Sequence, residues 1–222
     1  MHLSQELRIA TSILLGFALI AAALIFSPHN AFADAILRVF HADSSSISLE
    51  RSASHRMIYG NPKATTKLIE FADLQCPYCS EVHDTLKQIV DSSNGSIAWE
   101  YRHFPLPIHP FALPASHYAE CVFKLSGNDA FWRFTDTLMA NQRSLSEAYF
   151  KQTAVSLGVD GAKLASCIAD PDTARAVTAD LQTAEALGGG GTPYTVIVYP
   201  DGSTKPVSGA LPYAQWKSIL NI

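Results

Sequence analysis

Two cysteines separated by two residues, Cys76-Pro77-Tyr78-Cys79, are the part of this sequence whose types and spacing promise chemistry. A CxxC pair serves disulfide exchange, metal ligation or haem attachment. Haem attachment requires a histidine directly after the second cysteine, and Ser80 stands there. A zinc site needs four ligands, usually from two such pairs. His83 extends the motif to Cys-x2-Cys-x3-His, but the chain has only four cysteines and no second CxxC. Redox exchange is therefore the expected use, with no metal and no organic cofactor, and His83 is expected on a helix surface.

The surrounding pattern explains how such a pair would be activated. Lys67 to Asp73 reads as a short buried strand bounded by turn residues, with Glu70 an acid in an otherwise apolar run. Val82, Leu86, Ile89 and Val90 then recur at helical spacing, and Pro77 suits the first helical turn, where its missing N–H has no partner to lose. The cysteines thus sit where a strand hands over to a helix. Unpaired N–H groups and the helix dipole at that point favour an anion, so Cys76 is the expected thiolate nucleophile. Cys79, one turn later, is placed to resolve a mixed disulfide.

Further along, Ile97 to His103 reads as a second strand, stopped by Phe104-Pro105-Leu106-Pro107. From Ala112 to Leu187 the pattern is helical throughout, with breaks at 126–129, 141–144, Leu157-Gly158 and Asp170-Pro171. Gly188 to Gly191 lacks the following Lys and Ser/Thr of a phosphate loop and reads as a helix stop. Thr192-Pro193 leads into a strand at Tyr194 to Tyr199, an Asp201-Gly202 turn, a short strand near Lys205 to Val207 and a last helix from about Pro212 to Leu220. The expected fold is α/β: a mixed central sheet with helices on both faces, interrupted by an all-helical insertion at about 107–187. Most of the aromatic residues between Tyr101 and Phe134 are expected in the core.

The other two cysteines, Cys121 and Cys167, fall in the helical insertion. They read as a second, structural disulfide, or else as two buried thiols. The N-terminus bears on that choice. Arg8 precedes an uncharged run from Ile9 to Phe26, and Ala31-Phe32-Ala33 offers a cleavage site. The first 33 residues read either as a cleaved secretory signal or as a retained membrane anchor, followed by a linker over 34–57. Both readings place the domain at 58–222 in an oxidising, periplasmic or otherwise extracytoplasmic compartment. The formal charge of −4 argues against general nucleic-acid binding, which requires a basic face.

Glu70 to Cys79, taken with Gly191-Thr192-Pro193, resembles the DsbA-like branch of the thioredoxin superfamily, and the helical insertion has the size and position of that branch. The resemblance spans roughly Ile58 to Leu220. It implies a thioredoxin fold and dithiol–disulfide exchange through Cys76 and Cys79. It implies that Glu70 is the buried acid beneath the second cysteine, exchanging a proton with Cys79 as a general base. It further implies that the Thr192-Pro193 bond is cis and faces the redox pair, offering the Thr192 backbone to an extended substrate peptide. The partners implied are unfolded or partly folded exported proteins and a membrane redox partner that resets the pair, with the chain itself a monomer. The Pro-Tyr dipeptide also occurs in reductase- and isomerase-like relatives, so the direction of exchange stays open, as does a membrane-tethered, redox-regulated chaperone.

Overall fold

The computed structural model describes residues 57–222. The expected signal or anchor, with its apolar run at 9–26, and the linker up to residue 56 lie outside the described residues.

Five strands form one mixed sheet in the order β1-β3-β2-β4-β5. They are β1 (Met57–Gly60), β2 (Thr66–Ala72), β3 (Ile97–His103), β4 (Tyr194–Val198) and β5 (Thr204–Ser208). β2 and β3 are parallel, with Glu70 opposite Tyr101, and are joined through helix α1 (Pro77–Ser92). Every other pairing is antiparallel. β5 is the edge opposite β1, which is why it tolerates Pro206, a residue with no N–H for a ladder.

Strand alternation gives the sheet two unlike faces. Leu68, Ala72, Trp99 and Tyr101 point to one side, where Val82 and Leu86 of α1 and Trp216 of α6 (Tyr213–Leu220) cover them. Ile69, Phe71 and Val196 point to the other and pack against Ala184 of α5 (Pro171–Ala186). The insertion comprises α2 (Ala112–Ala140), a 3₁₀ turn (Gln142–Ser144), α3 (Glu147–Ser156), α4 (Gly161–Ala169) and α5. α2 is broken at Gly127, whose φ of 80° and ψ of −174° are not helical, so the expected break at 126–129 is a kink between two packed halves. Asp160 and Asp170 cap α4 and α5 by accepting N–H bonds from their first turns.

One expectation is corrected. The stretch ending at residue 57 is not all linker: β1 begins at Met57 and pairs with β3 from Met57–Tyr101 to Gly60–Ala98. Its outer edge is satisfied from the insertion. The Asn128 amide accepts from the Ile58 N–H at 2.9 Å and donates to the Ile58 carbonyl at 2.8 Å, replacing a neighbouring strand. Four residues carry no readable alternation, and the groups that make them a strand, β3 and the Asn128 side chain 70 residues on, are distant in sequence.

Candidate active site

The Cys76–Cys79 loop is built by the end of β2 and the start of α1. Cys76 is the N-cap residue, with extended backbone (φ −71°, ψ 124°), and Pro77 follows in the first turn. The carbonyl of Cys76 opens the helix by accepting from the N–H groups of Cys79 and Ser80. Gln142, on the 3₁₀ turn of the insertion, donates its amide to the carbonyls of Leu74 (3.1 Å) and Cys76 (2.9 Å). The insertion therefore braces the loop directly. Both cysteines are free thiols, Cys79 fully buried and Cys76 nearly so, while Tyr78 between them is 62 % exposed.

On the facing side, Gly188 (φ 89°) ends α5 and the chain runs into Thr192-Pro193, whose peptide bond is cis. This brings the Thr192 carbonyl to 3.5 Å from Cys76 Sγ, where it accepts from the thiol.

The two sulfurs are electrostatically unlike. Cys76 is pulled down from 9.0 to about 5, chiefly by the Cys79 thiol, with help from the Thr192 side chain and from the N–H groups of Cys79 and Tyr78, and against the effect of burial. Cys79 is pushed well above its ordinary value by burial first, then by Cys76 and the charge of Glu70. The Asp73 N–H, 3.4 Å from Cys79 Sγ, acts in the opposite sense. Glu70 lies on the same face of β2 as Leu68 and Ala72, is 1 % exposed, and has one oxygen without a hydrogen-bond partner. Burial raises its carboxyl to about 8; the Trp99 side chain opposes the rise and the Cys76 charge adds to it. At neutral pH the arrangement is an outer thiolate, an inner thiol and a protonated acid coupled to that thiol.

The structure thus brings Cys76, Cys79, Glu70, Thr192 and Pro193 to one place. It also brings residues that the sequence did not announce. Asp73 is fully buried, and its carboxylate accepts from the N–H of Gln75 (2.7 Å), the N–H of Leu106 (2.9 Å) and Nδ1 of His109 (2.7 Å). Its one visible sign was an acid at a strand end three residues before the motif. His83 is the second correction. It is buried rather than on the surface, with Nε2 at 2.7 Å from Asp136 Oδ1 and its ring edge-on to Trp99. It faces α2 rather than the sulfurs, and among the described residues no three His, Cys, Asp or Glu side chains are grouped as metal ligands. Phe111 departs from the aromatic core: it is 36 % exposed, and its N–H donates to the Gln75 side chain.

Cys121 on α2 and Cys167 on α4 are joined by a disulfide, 46 residues apart in sequence and 5.8 Å between Cα atoms. Thr173 lies within 3.7 Å of Cys121 Sγ and 3.6 Å of Cys167 Sγ.

Comparison with known proteins agrees with this geometry. A family model described as Thioredoxin matches residues 52–221. Among solved structures, Pseudomonas aeruginosa DsbA2 superposes with a TM-score of 0.66 at 27 % identity, covering 78 % of this chain and 95 % of that one. The catalytic domain of Proteus mirabilis ScsC has the same fold, with a TM-score of 0.66 at 23 % identity, covering 83 % and 94 %. Among curated proteins, the Na(+)/H(+) antiporter NhaA 3 of Salinispora tropica is 30 % identical over 138 residues, which are 61 % of this chain and 20 % of the antiporter. The chain thus matches about a fifth of that relative's length.

Proposed function

Because this chain belongs to the thioredoxin family, as a DsbA-like protein, we propose that it introduces disulfide bonds into exported proteins by thiol–disulfide exchange at Cys76 and Cys79. The observation that carries the proposal is the split between the sulfurs: Cys76 is held near 5 and Cys79 far above its ordinary value. A stabilised thiolate is a good leaving group and lowers the energy of the reduced pair, which makes the oxidised pair a donor.

In the proposed cycle the pair starts as a disulfide. A substrate thiolate attacks Cys76 Sγ, the Cys76–Cys79 bond breaks, and Cys79 takes the proton of the neutral Glu70. A second substrate thiolate then attacks the substrate sulfur of the mixed disulfide, and Cys76 leaves as thiolate. The substrate gains a disulfide and the pair gains two electrons. Thr192 and the cis Pro193 hold the substrate segment beside Cys76. The sulfur pair itself carries the electrons, so the reaction needs no further cofactor.

Substrates in this proposal are partly folded exported proteins, met by a monomer in the periplasm or an equivalent compartment, and a membrane redox protein restores the disulfide. Sodium–proton exchange does not transfer from the antiporters. The aligned stretch is 20 % of the first of them, and no helix among the described residues is long and apolar enough to cross a membrane.

The test is the equilibrium reduction potential of the Cys76–Cys79 pair against glutathione. A value near the roughly −120 mV of a strong oxidant supports the donor role, whereas one near the roughly −270 mV of thioredoxin overturns it in favour of a reductase.

A further inference from the structure

The segment between β3 and α2 is fastened to the cysteine loop at several points. Phe104 N–H donates to the Ala72 carbonyl at 2.8 Å, and Leu106 N–H and His109 Nδ1 both reach Asp73 Oδ2. Phe111 N–H then reaches the Gln75 side chain at 2.7 Å. Asp73 is the centre of this fastening. Its carboxylate is fully buried, and His109 Nδ1 is the side-chain donor opposite it, itself 19 % exposed. A buried carboxylate is costly unless it is saturated with donors, and this one has three.

The backbone of the same residue does something different. Asp73 N–H points at Cys79 Sγ at 3.4 Å, and its carbonyl accepts from Cys76 N–H at 3.1 Å. Cys79 is otherwise fully buried in the core beside the buried acid Glu70. The Asp73 N–H is thus the backbone donor that steadies negative charge on the inner sulfur. A single peptide N–H keeps such an aim only if its residue cannot rotate. The side chain of Asp73, tied on one side to its own turn and on the other to the 106–109 segment, supplies that restraint.

We propose that Asp73 and His109 are positioning residues for the resolving cysteine: their hydrogen bond holds the end of β2 so that the Asp73 N–H stays on Cys79 Sγ while that sulfur carries charge. The inference rests on the exchange reaction proposed above and concerns its inner step. When reduced enzyme meets a disulfide, Cys76 attacks, one thiolate leaves, and a mixed disulfide forms. Cys79, deprotonated, then attacks Cys76 Sγ, the mixed disulfide breaks, and the second thiol is released. The latch acts most directly on that second attack: Asp73 meets Cys76 only through the Cys76 N–H, while the Cys76 sulfur is held by Cys79, the Thr192 side chain and the first amides of α1.

The experiment mixes reduced protein with oxidised glutathione, quenches with acid, and follows the glutathionylated intermediate by mass spectrometry. Wild type, His109→Ala and Asp73→Ala are compared, with His109→Gln, which keeps a donor, as the rescue. Loss of the aimed N–H is expected to slow resolution about tenfold, so that the mixed disulfide accumulates. In His109→Ala the first attack and the pH-dependent thiolate absorbance of Cys76 stay as in wild type, and His109→Gln recovers most of the resolution rate. Equal slowing of both steps, or a displaced Cys76 titration, would show that the latch merely folds the loop and would overturn the proposal. So would unchanged resolution in His109→Ala. If Asp73→Ala does not fold, the variants at His109 decide alone. Failure of wild type to form any mixed disulfide would instead strike at the exchange reaction itself.

Discussion

The molecule holds two cysteine pairs that differ in nearly every physical respect. Cys76 and Cys79 are three positions apart, lie at a helix start, and are free thiols; Cys121 and Cys167 are 46 apart, join two helices of the insertion, and are bonded. Crosslinking neighbours three residues apart removes little freedom from an unfolded chain, whereas closing a 46-residue loop removes a great deal. The surroundings follow the same division. The close pair has N–H donors and a buried acid beside it. The distant pair has a neutral threonine hydroxyl. What distinguishes a working disulfide from a structural one here is the provision made for charge on sulfur.

The sharpest way to break the comparison is to remove the sulfur that carries the charge. Cys76→Ser is expected to reduce exchange with a peptide disulfide to the uncatalysed level, while intact mass under non-reducing conditions still shows the Cys121–Cys167 bond. Retained exchange would mean that the distant pair, not the close one, is the reactive site.

Glu70→Gln comes next, and it sharpens the comparison through pH. Glu70 is raised from 4.5 to about 8, so between these values the folded protein keeps a proton that the unfolded chain releases. Stability therefore declines as pH rises through that window. Cys76 is lowered from 9.0 to about 5, which has the opposite sign: its contribution is full above 9.0 and is lost as pH falls through about 5. The oxidised protein has only the first slope, and the reduced protein has both. Urea titrations should show oxidised wild type losing stability from pH 4.5 to 8, and the reduced form changing less. In oxidised Glu70→Gln the decline should vanish, with a gain of roughly 2–4 kcal/mol at pH 8. Its resolution by Cys79 should fall roughly 100-fold and lose its rise near pH 8. A variant with the wild-type pH profile would remove Glu70 from proton transfer.

These predictions rest on residues with very different visibility in the sequence. The CxxC, the proline after its first cysteine and the breaks at Gly127, Leu157-Gly158 and Asp170 are set by chemistry within a few residues, so the local pattern carried them. Glu70 was visible as an acid in an apolar strand. Asp73 and His109 were not, because their meaning is a pairing across 36 positions and depends on how the Phe104–Pro110 segment folds back. His83 was placed on the wrong side of its helix for the same reason. Its helical position allowed either face, and only Trp99 and Asp136, supplied by other elements, decide for burial. β1 likewise depends on distant partners, β3 on one edge and Asn128 on the other.

Removing the distant pair tests the other half of the comparison. Cys121→Ala with Cys167→Ala should lower stability by about 2–4 kcal/mol, as expected for the entropy of the loop it closes. The rate of exchange and the potential of the close pair should not move. A changed potential would show that the insertion transmits its own strain through Gln142 to the Cys76 loop.

The smallest effect is expected at Thr173, the residue against which both sulfurs of the structural pair rest. Thr173 is fully buried in the first turn of α5. Its hydroxyl donates to the Cys167 carbonyl at 2.8 Å, a group near the end of α4, and accepts from Lys124 Nζ at 3.2 Å. Valine has nearly the same shape and removes the hydroxyl alone. The carbonyl keeps a second donor, the Asp170 N–H at 3.2 Å, so it is not orphaned. Thr173→Val should therefore cost about 1 kcal/mol in urea unfolding and leave exchange unaltered. Repeating the substitution without the crosslink completes a double-mutant cycle. If the hydroxyl and the disulfide restrain the same helix junction, the cost of Thr173→Val changes once the bond is gone; if it stays the same, the bond acts only on the unfolded chain.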